Sequence, residues 1–329
     1  MKKSLLALCF LFALSVFAQQ TSEKFVLETK YLLYLPDGYD SDKNRNWPLM
    51  IFLHGSGESG DDLNKVKVNG PPKLIDQGKK FPMIVVSPQA PQAEGFKPDI
   101  IRKMLNDLKS KYRIDTDRIY LTGLSMGGYG TWKIAQEFPE EFAAIAPVCG
   151  GGDPSMNYRL RHIPVWCFHG AKDDVVLPSE SQVMIDSLEK YSKDVKFTLY
   201  PEANHNSWDA TYSNDSVYDW MLSQTKFKFK RVALPVSDLQ KYVGTYTTTS
   251  GSQDITILVE NDKLMIYGGN NPNEKIEFIP ASETTFYLFE GSSVEFRFTP
   301  DKKGRFNTFL FYDSDKIRNY KRQKSDKKN

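Results

Sequence analysis

The 329-residue chain has 40% hydrophobic and 26% charged side chains, a globular composition that excludes a coiled coil, a bundle of membrane spans and a disordered tail protein. At roughly 150 residues per domain it has room for about two. Its 43 basic and 41 acidic residues leave a net charge of +2, too weak a field to argue for nucleic acid as a partner, and three cysteines are too few for a disulfide-built fold.

At the amino terminus, Lys2 and Lys3 precede the apolar run 5–17, and Val16, Phe17 and Ala18 stand where signal peptidase reads. Residues 1–18 are therefore expected to be a signal peptide, which places the mature protein in the periplasm or outside the cell. The apolar run is shorter than the roughly 20 residues a bilayer requires, and polar Gln19 and Gln20 follow at once, so no transmembrane anchor is expected after cleavage. Cleavage removes two lysines and Cys9, leaving 41 basic and 41 acidic residues and only Cys149 and Cys167. Those two read as buried small hydrophobes, with a disulfide between them as the competing reading.

Residues 19–228 form the first expected domain. Short β-branched runs at 31–35, 49–53, 83–87, 118–122, 143–147, 165–168 and 196–200 alternate with amphipathic stretches at 99–111, 127–137, 179–191 and 209–223. Several of the strands are apolar throughout, as strands covered on both faces should be, which predicts a mostly parallel sheet with crossover helices. A linker at 229–238 contains Pro235, and the pattern then switches to strands separated by short polar turns, at 242–249, 254–260, 263–267, 275–279, 285–289, 293–298 and 306–311. Residues 239–315 are thus expected to form a small antiparallel β-barrel-like domain. The run 316–329 holds seven basic residues and one acid and reads as a solvated basic tail.

The strongest chemical signal is Gly123-Leu124-Ser125-Met126-Gly127, with a strand before it and an amphipathic helix after it. A Gly-x-Ser-x-Gly turn between strand and helix exposes the serine hydroxyl at the helix amino terminus, which makes Ser125 the candidate nucleophile. A serine hydroxyl needs an imidazole to take its proton and a carboxylate to hold that imidazole. Of the four histidines, His54 precedes the serine in a loop-shaping position, His162 lies in a polar loop and His169 directly follows a strand. His205 lies between the last strand and the last helix and is the candidate base. The segment after strand 165–168 supplies the carboxylate in the chain order Ser, Asp, His; Asp173 and Asp174 compete there, and periodicity does not choose between them. The backbone N–H of Met126 and that of Gly55 or Ser56 are the candidate oxyanion donors. Glu58 either fixes the glycine-rich loop or faces substrate, and Trp208 either walls a substrate pocket or packs in the core. Metal and cofactor sites are not expected, since the histidines lack paired ligand spacing and the loop at 54–60 lacks the ending of a phosphate loop.

These stretches, together with Ser87-Pro88-Gln89, His169-Gly170-Ala171-Lys172-Asp173 and His205-Asn206-Ser207-Trp208, resemble the secreted esterase branch of the α/β-hydrolase superfamily that includes polyhydroxybutyrate-depolymerase-like and feruloyl-esterase-like enzymes, also labelled phospholipase/carboxylesterase or predicted peptidase. The resemblance covers residues 28–225. It implies an acyl-serine mechanism on carboxylic esters, with Ser125, Asp173 and His205 as triad, and acetyl or feruloyl esters of polysaccharides as candidate substrates. A secreted peptidase and a non-catalytic glycan-binding protein are the alternatives. Tyr242-Val243-Gly244-Thr245-Tyr246 and the strand spacing that follows look like the lipocalin-like β-domain appended to some secreted serine hydrolases.

Overall fold

A computed structural model describes residues 29–91, 95–248, 253–269 and 271–323. The expected signal peptide lies outside them. No helix among the described residues is long and apolar enough to cross a membrane.

Seven strands build the first sheet: β1 (Tyr31–Tyr34), β2 (Trp47–Leu53), β3 (Ile84–Pro88), β4 (Ile114–Leu124), β5 (Ala144–Val148), β6 (Val165–Gly170) and β7 (Val195–Tyr200). Their order is β1-β3-β2-β4-β5-β6-β7, with β1 antiparallel to β3 and every other pair parallel. Side-chain alternation along the strands divides the core into two layers. Leu49, Ile51 and Leu53 of β2 face helices α2 (Pro98–Lys111), α3 (Met126–Glu137) and α4 (Pro178–Leu188), whereas Met50 and Phe52 pack with α5 (Trp208–Ser213) and α6 (Asp215–Leu222). This is the mostly parallel α/β architecture expected from the alternating pattern. The expected single helix 209–223 is two helices, because Asn214 adopts an extended conformation and its side chain accepts from Ser216 N–H at 3.0 Å, capping the second one. A short helix, α1 (Gly70–Asp76), opens with Pro71 and Pro72 and was not among the expected elements.

The remaining strands, β8 (Gly244–Thr247), β9 (Ile255–Glu260), β10 (Lys263–Gly268), β11 (Ile276–Glu277), β12 (Ile279–Pro280), β13 (Thr285–Tyr287), β14 (Glu295–Thr299), β15 (Thr308–Tyr312) and β16 (Ile317–Arg322), form a second sheet that is antiparallel throughout. Its order runs from β11 at one edge to β12 at the other. Only Phe278 separates these two strands in the chain, so the sheet must curl until its edges meet, giving a nearly closed barrel. Rings fill the interior: Phe278 stacks on Phe286 at 4.6 Å and Tyr242 on Phe306 at 4.8 Å.

Residues 317–322 correct the expected basic tail. They pair with both β8 and β15, and Tyr320 is buried against Phe309. The count of basic residues hid a strand in which Arg318, Tyr320 and Arg322 share one face, the ring buried and the two arginines half-buried, while Asn319 and Lys321 are exposed on the other. Arg322 reaches Tyr246 Oη at 2.8 Å, and Arg318 pairs with Asp313.

The barrel docks at the amino ends of the parallel strands. Arg161 and His162, which precede β6, both meet Glu295 of the barrel, at 2.6 and 2.8 Å. Arg161 also donates to Ser293 O, and Tyr158 Oη donates to Ser314 O.

Candidate active site

Ser125 sits between β4 and α3 with φ +52° and ψ −117°, a conformation that costs a non-glycine residue on the order of 1–3 kcal/mol. The serine, and not a flanking glycine, takes the strained angles. Gly123, Gly127 and Gly128 serve a different purpose: a Cβ on Gly127 would stand 2.0 Å from Leu53 O, one on Gly123 2.4 Å from Gly127 O, and one on Gly128 2.4 Å from Val148 O. The glycines let helix α3 press against β2 and β5, and that packing holds the serine at the turn.

Three of the expected residues come together. His205 Nε2 lies 3.1 Å from Ser125 Oγ, and His205 Nδ1 lies 2.8 Å from Asp173 Oδ2. With Nδ1–H donated to the carboxylate, Nε2 is left to accept the serine proton. Asp173 rather than Asp174 takes this place. Its side chain is fully buried and its second oxygen accepts from the N–H groups of Val175 and Val176 at 3.0 and 2.9 Å, whereas Asp174 is exposed. Burial works to raise the Asp173 pKa, and the His205 hydrogen bond with the two amides outweighs it, so the carboxyl lies below its ordinary value. His169 stands on the other side: its Nε2 donates to Val176 O at 2.8 Å and lies 3.2 Å from Asp173 Oδ2. Its buried position marks it as part of the carboxylate's support.

His54 organises the loop opposite. Its Nδ1–H donates to Gly55 O at 2.6 Å and its Nε2 accepts from Ala90 N–H at 3.0 Å. Burial lowers its pKa, so the ring is held neutral in one tautomer. The loop brings Gly55 against the nucleophile, since a Cβ there would lie 3.8 Å from Ser125 Cβ. Ser56 opens a short 3-10 turn, Ser56–Glu58, and Met126 opens helix α3 directly after the serine.

Glu58 and Trp208 meet through a residue that the sequence did not single out. Asn69 Nδ2 donates to Glu58 Oε1 at 2.5 Å, and Asn69 Oδ1 accepts from Trp208 Nε1 at 3.1 Å. The Trp208 ring in turn stands edge-on to His205, with centroids 5.2 Å apart at 87°. Glu58 is buried and thus fixes its loop, while Asn69 ties that loop to the wall of the imidazole. An asparagine at a helix start reads as a cap in sequence, and Asn69 does precede α1 without a side-chain capping bond.

Cys149 and Cys167 are free and buried, so no bridge joins them. Cys149 offers a thiol within 4.8 Å of ligand atoms of Asp173 and His205, but burial pushes its pKa up to about 12 and Nδ1 of His205 is already engaged by Asp173. The donor set is arranged for proton transfer rather than for holding a cation.

Sheet order, turn and relay define an α/β-hydrolase fold. Residues 87–221 match the Dienelactone hydrolase family, and residues 228–325 match a domain of unknown function, DUF3471. A thermostable esterase of solved structure is 35% identical with a TM-score of 0.53, over 60% of each chain. The bifunctional acetylxylan esterase/xylanase of Neocallimastix patriciarum is 26% identical over 182 residues, 53% of this chain and 26% of that protein. Poly(3-hydroxyalkanoate) depolymerase C of Paucimonas lemoignei is 41% identical over 51 residues, 16% of this chain and 12% of that protein. The chain thus spans about a quarter or less of the length of these two curated relatives.

Proposed function

We propose that the protein is a serine carboxylic ester hydrolase working through an acyl-enzyme, and the observation that carries this reading is the continuous relay Ser125–His205–Asp173 at a strained strand-to-helix turn. His205 takes the Ser125 proton as Oγ attacks the ester carbonyl, and the carbonyl oxygen becomes an oxyanion facing the N–H of Met126 and the Gly55–Ser56 backbone. The imidazolium returns the proton to the leaving alcohol. Water, deprotonated by the same imidazole, then attacks the acyl carbonyl and releases the acid and Ser125. Asp173 holds the tautomer that both halves require.

Acetyl or feruloyl esters of polysaccharides are the substrate class we favour, on the strength of the acetylxylan esterase relative and of an apparatus that needs only an acyl carbonyl and an alcohol leaving group. Residues 1–18 support export to the periplasm or beyond. The test is hydrolysis of a short-chain aryl acetate, acetylxylan, a feruloyl ester and the matching amides by the full chain and by Ser125→Ala. Ester turnover that falls to background in Ser125→Ala supports the reading, faster amide turnover moves it to a peptidase, and unchanged turnover in the variant overturns it.

A further inference from the structure

A cleft of about 490 Å3 opens where the barrel meets the amino ends of the parallel strands, a size within the roughly 300–1,000 Å3 of small-molecule sites. It is lined by Asp117 early in β4, Phe142 just before β5 and Ile163 just before β6. Ser125, Asp173 and His205 lie beyond the other ends of β4, β6 and β7. At about 3.3 Å per residue the two sites are about 25 Å apart along β4.

Among the charges lining the cleft, Lys226, Arg159 and Glu290 make no ion pair with a described residue, which leaves one more unpaired cation than anion, Glu140 being paired with Arg102 outside it. Lys109 pairs with Glu141, Lys228 with Asp117 at 2.6 Å and Arg161 with Glu295 at 2.6 Å, whereas Lys226 has no carboxylate within 4.0 Å among the described residues. Lys226 is half-buried, and burial lowers its pKa; the charges that act on it, Glu141 and Asp117 raising it and Lys109 and Lys228 lowering it, all line the same cleft. Arg159, also on the wall, donates to Glu137 O at 3.0 Å and makes no ion pair among the described residues. Beside Lys226, the Phe227 ring is 44% exposed and held flat by His162, with centroids 3.9 Å apart at 3°. A partly desolvated ammonium next to a rigid, uncovered ring is matched by a ligand that brings an anion and a ring together.

We propose that this cleft binds a compact ring-bearing carboxylate, with its carboxylate on Lys226 and its ring on Phe227. A uronic acid sugar and an aryl-propenoic acid share this chemistry. The site stands apart from the hydrolase chemistry, so either can fail without the other.

The test uses the full chain carrying Ser125→Ala, titrated with glucuronate and with 4-hydroxycinnamate, and with glucose and 4-hydroxycinnamyl alcohol as neutral counterparts. Calorimetry reads affinity, and imidazole resonances of the four histidines report position. At least one acid saturates the protein, its neutral counterpart binds about tenfold or more weakly, and the His162 resonances move while those of His205 do not. Lys226→Met lowers the affinity by about tenfold or more and Lys226→Arg retains it, and Lys226→Gln replaces the Met variant if that does not fold. Saturation by glucuronate alone assigns a sugar acid, and by 4-hydroxycinnamate alone an aryl acid. The proposal is overturned if neither acid saturates, if the His205 signals move instead, or if Lys226→Met binds as tightly as the parent.

Discussion

Two buried carboxylates stand at opposite ends of one parallel sheet, and their neighbours set them apart. At the carboxyl ends, Asp173 accepts from two backbone amides and from His205, whose side chain is 19% exposed and continues to Ser125. At the amino ends, Glu295 is enclosed by Arg161, His162 and Arg297, and its pKa lies well below the usual carboxylate range because the His162 hydrogen bond and the Arg161 charge overcome the burial that would raise it. One cluster leads through the His205 imidazole to the hydroxyl of Ser125. The other joins two guanidinium groups and the His162 imidazole across the seam between barrel and sheet, and so it fastens one to the other. Similar burial therefore serves a hydrogen-bonded chain to a strained serine in one place and a clamp in the other, according to what stands behind the carboxylate's partner.

Asp173→Asn breaks the first cluster with the largest effect. The amide cannot hold the imidazole tautomer, so ester kcat is expected to fall by about 10^3–10^4-fold with the thermal midpoint nearly unchanged. Steady-state kinetics and a melting curve on one sample check both halves. Glu295→Ala breaks the second: it leaves Arg161 buried without its anion and is expected to cost about 3–5 kcal/mol in urea unfolding, while kcat per folded molecule is retained. A Glu295 variant that lost kcat without losing stability would show that the clamp also serves the chemistry.

Smaller effects sharpen the comparison. Asn69→Ala cuts the tie between Glu58 and Trp208 and is expected to lower kcat by roughly tenfold with little change in KM, since it loosens the ring beside His205 without removing a reacting group. Comparing Asn69→Ala with Trp208→Phe and the double variant checks this, because effects that travel through the same bond do not add. The pH dependence of stability separates the clusters further. His54 and His162 both have pKa values lowered by burial, so below about 6.5 the unfolded chain takes up protons that the folded chain resists, and stability falls as pH drops through that window. Asp173 has a lowered pKa and contributes stability above the ordinary carboxylate value of about 3.9, which is lost only below it. Urea midpoints are therefore expected to fall between about pH 7.5 and 5.5, and by less in His162→Gln, which can still donate to Glu295. An unmoved midpoint would contradict the buried neutral state of these rings.

Much of the first domain is legible in the sequence because its strands are short apolar runs and its helices repeat at 3.6 residues, signals that persist whatever the tertiary contacts. The second domain is less legible. In 317–322 three charged residues outnumber the single buried ring, so a local count reads as tail what register makes a strand. Asn214 shows the same limit on a smaller scale: helical periodicity continues across it, and only its cap geometry divides the helix.

The sequence by itself determined the turn chemistry at Ser125, the chain order of Ser125, Asp173 and His205, and the division into a parallel α/β unit and a β-rich unit, because each depends on local residue type and spacing. Tertiary structure brought Asp173, which the family resemblance but not periodicity had favoured over Asp174, to His205, and it alone decided that Asn69 joins Glu58 to Trp208 and that the barrel docks at the strand ends away from Ser125. Those outcomes depend on distances between residues far apart in the chain, from 11 to 139 positions for the bonds to Asn69 and through Glu295, and no local pattern encodes such distances.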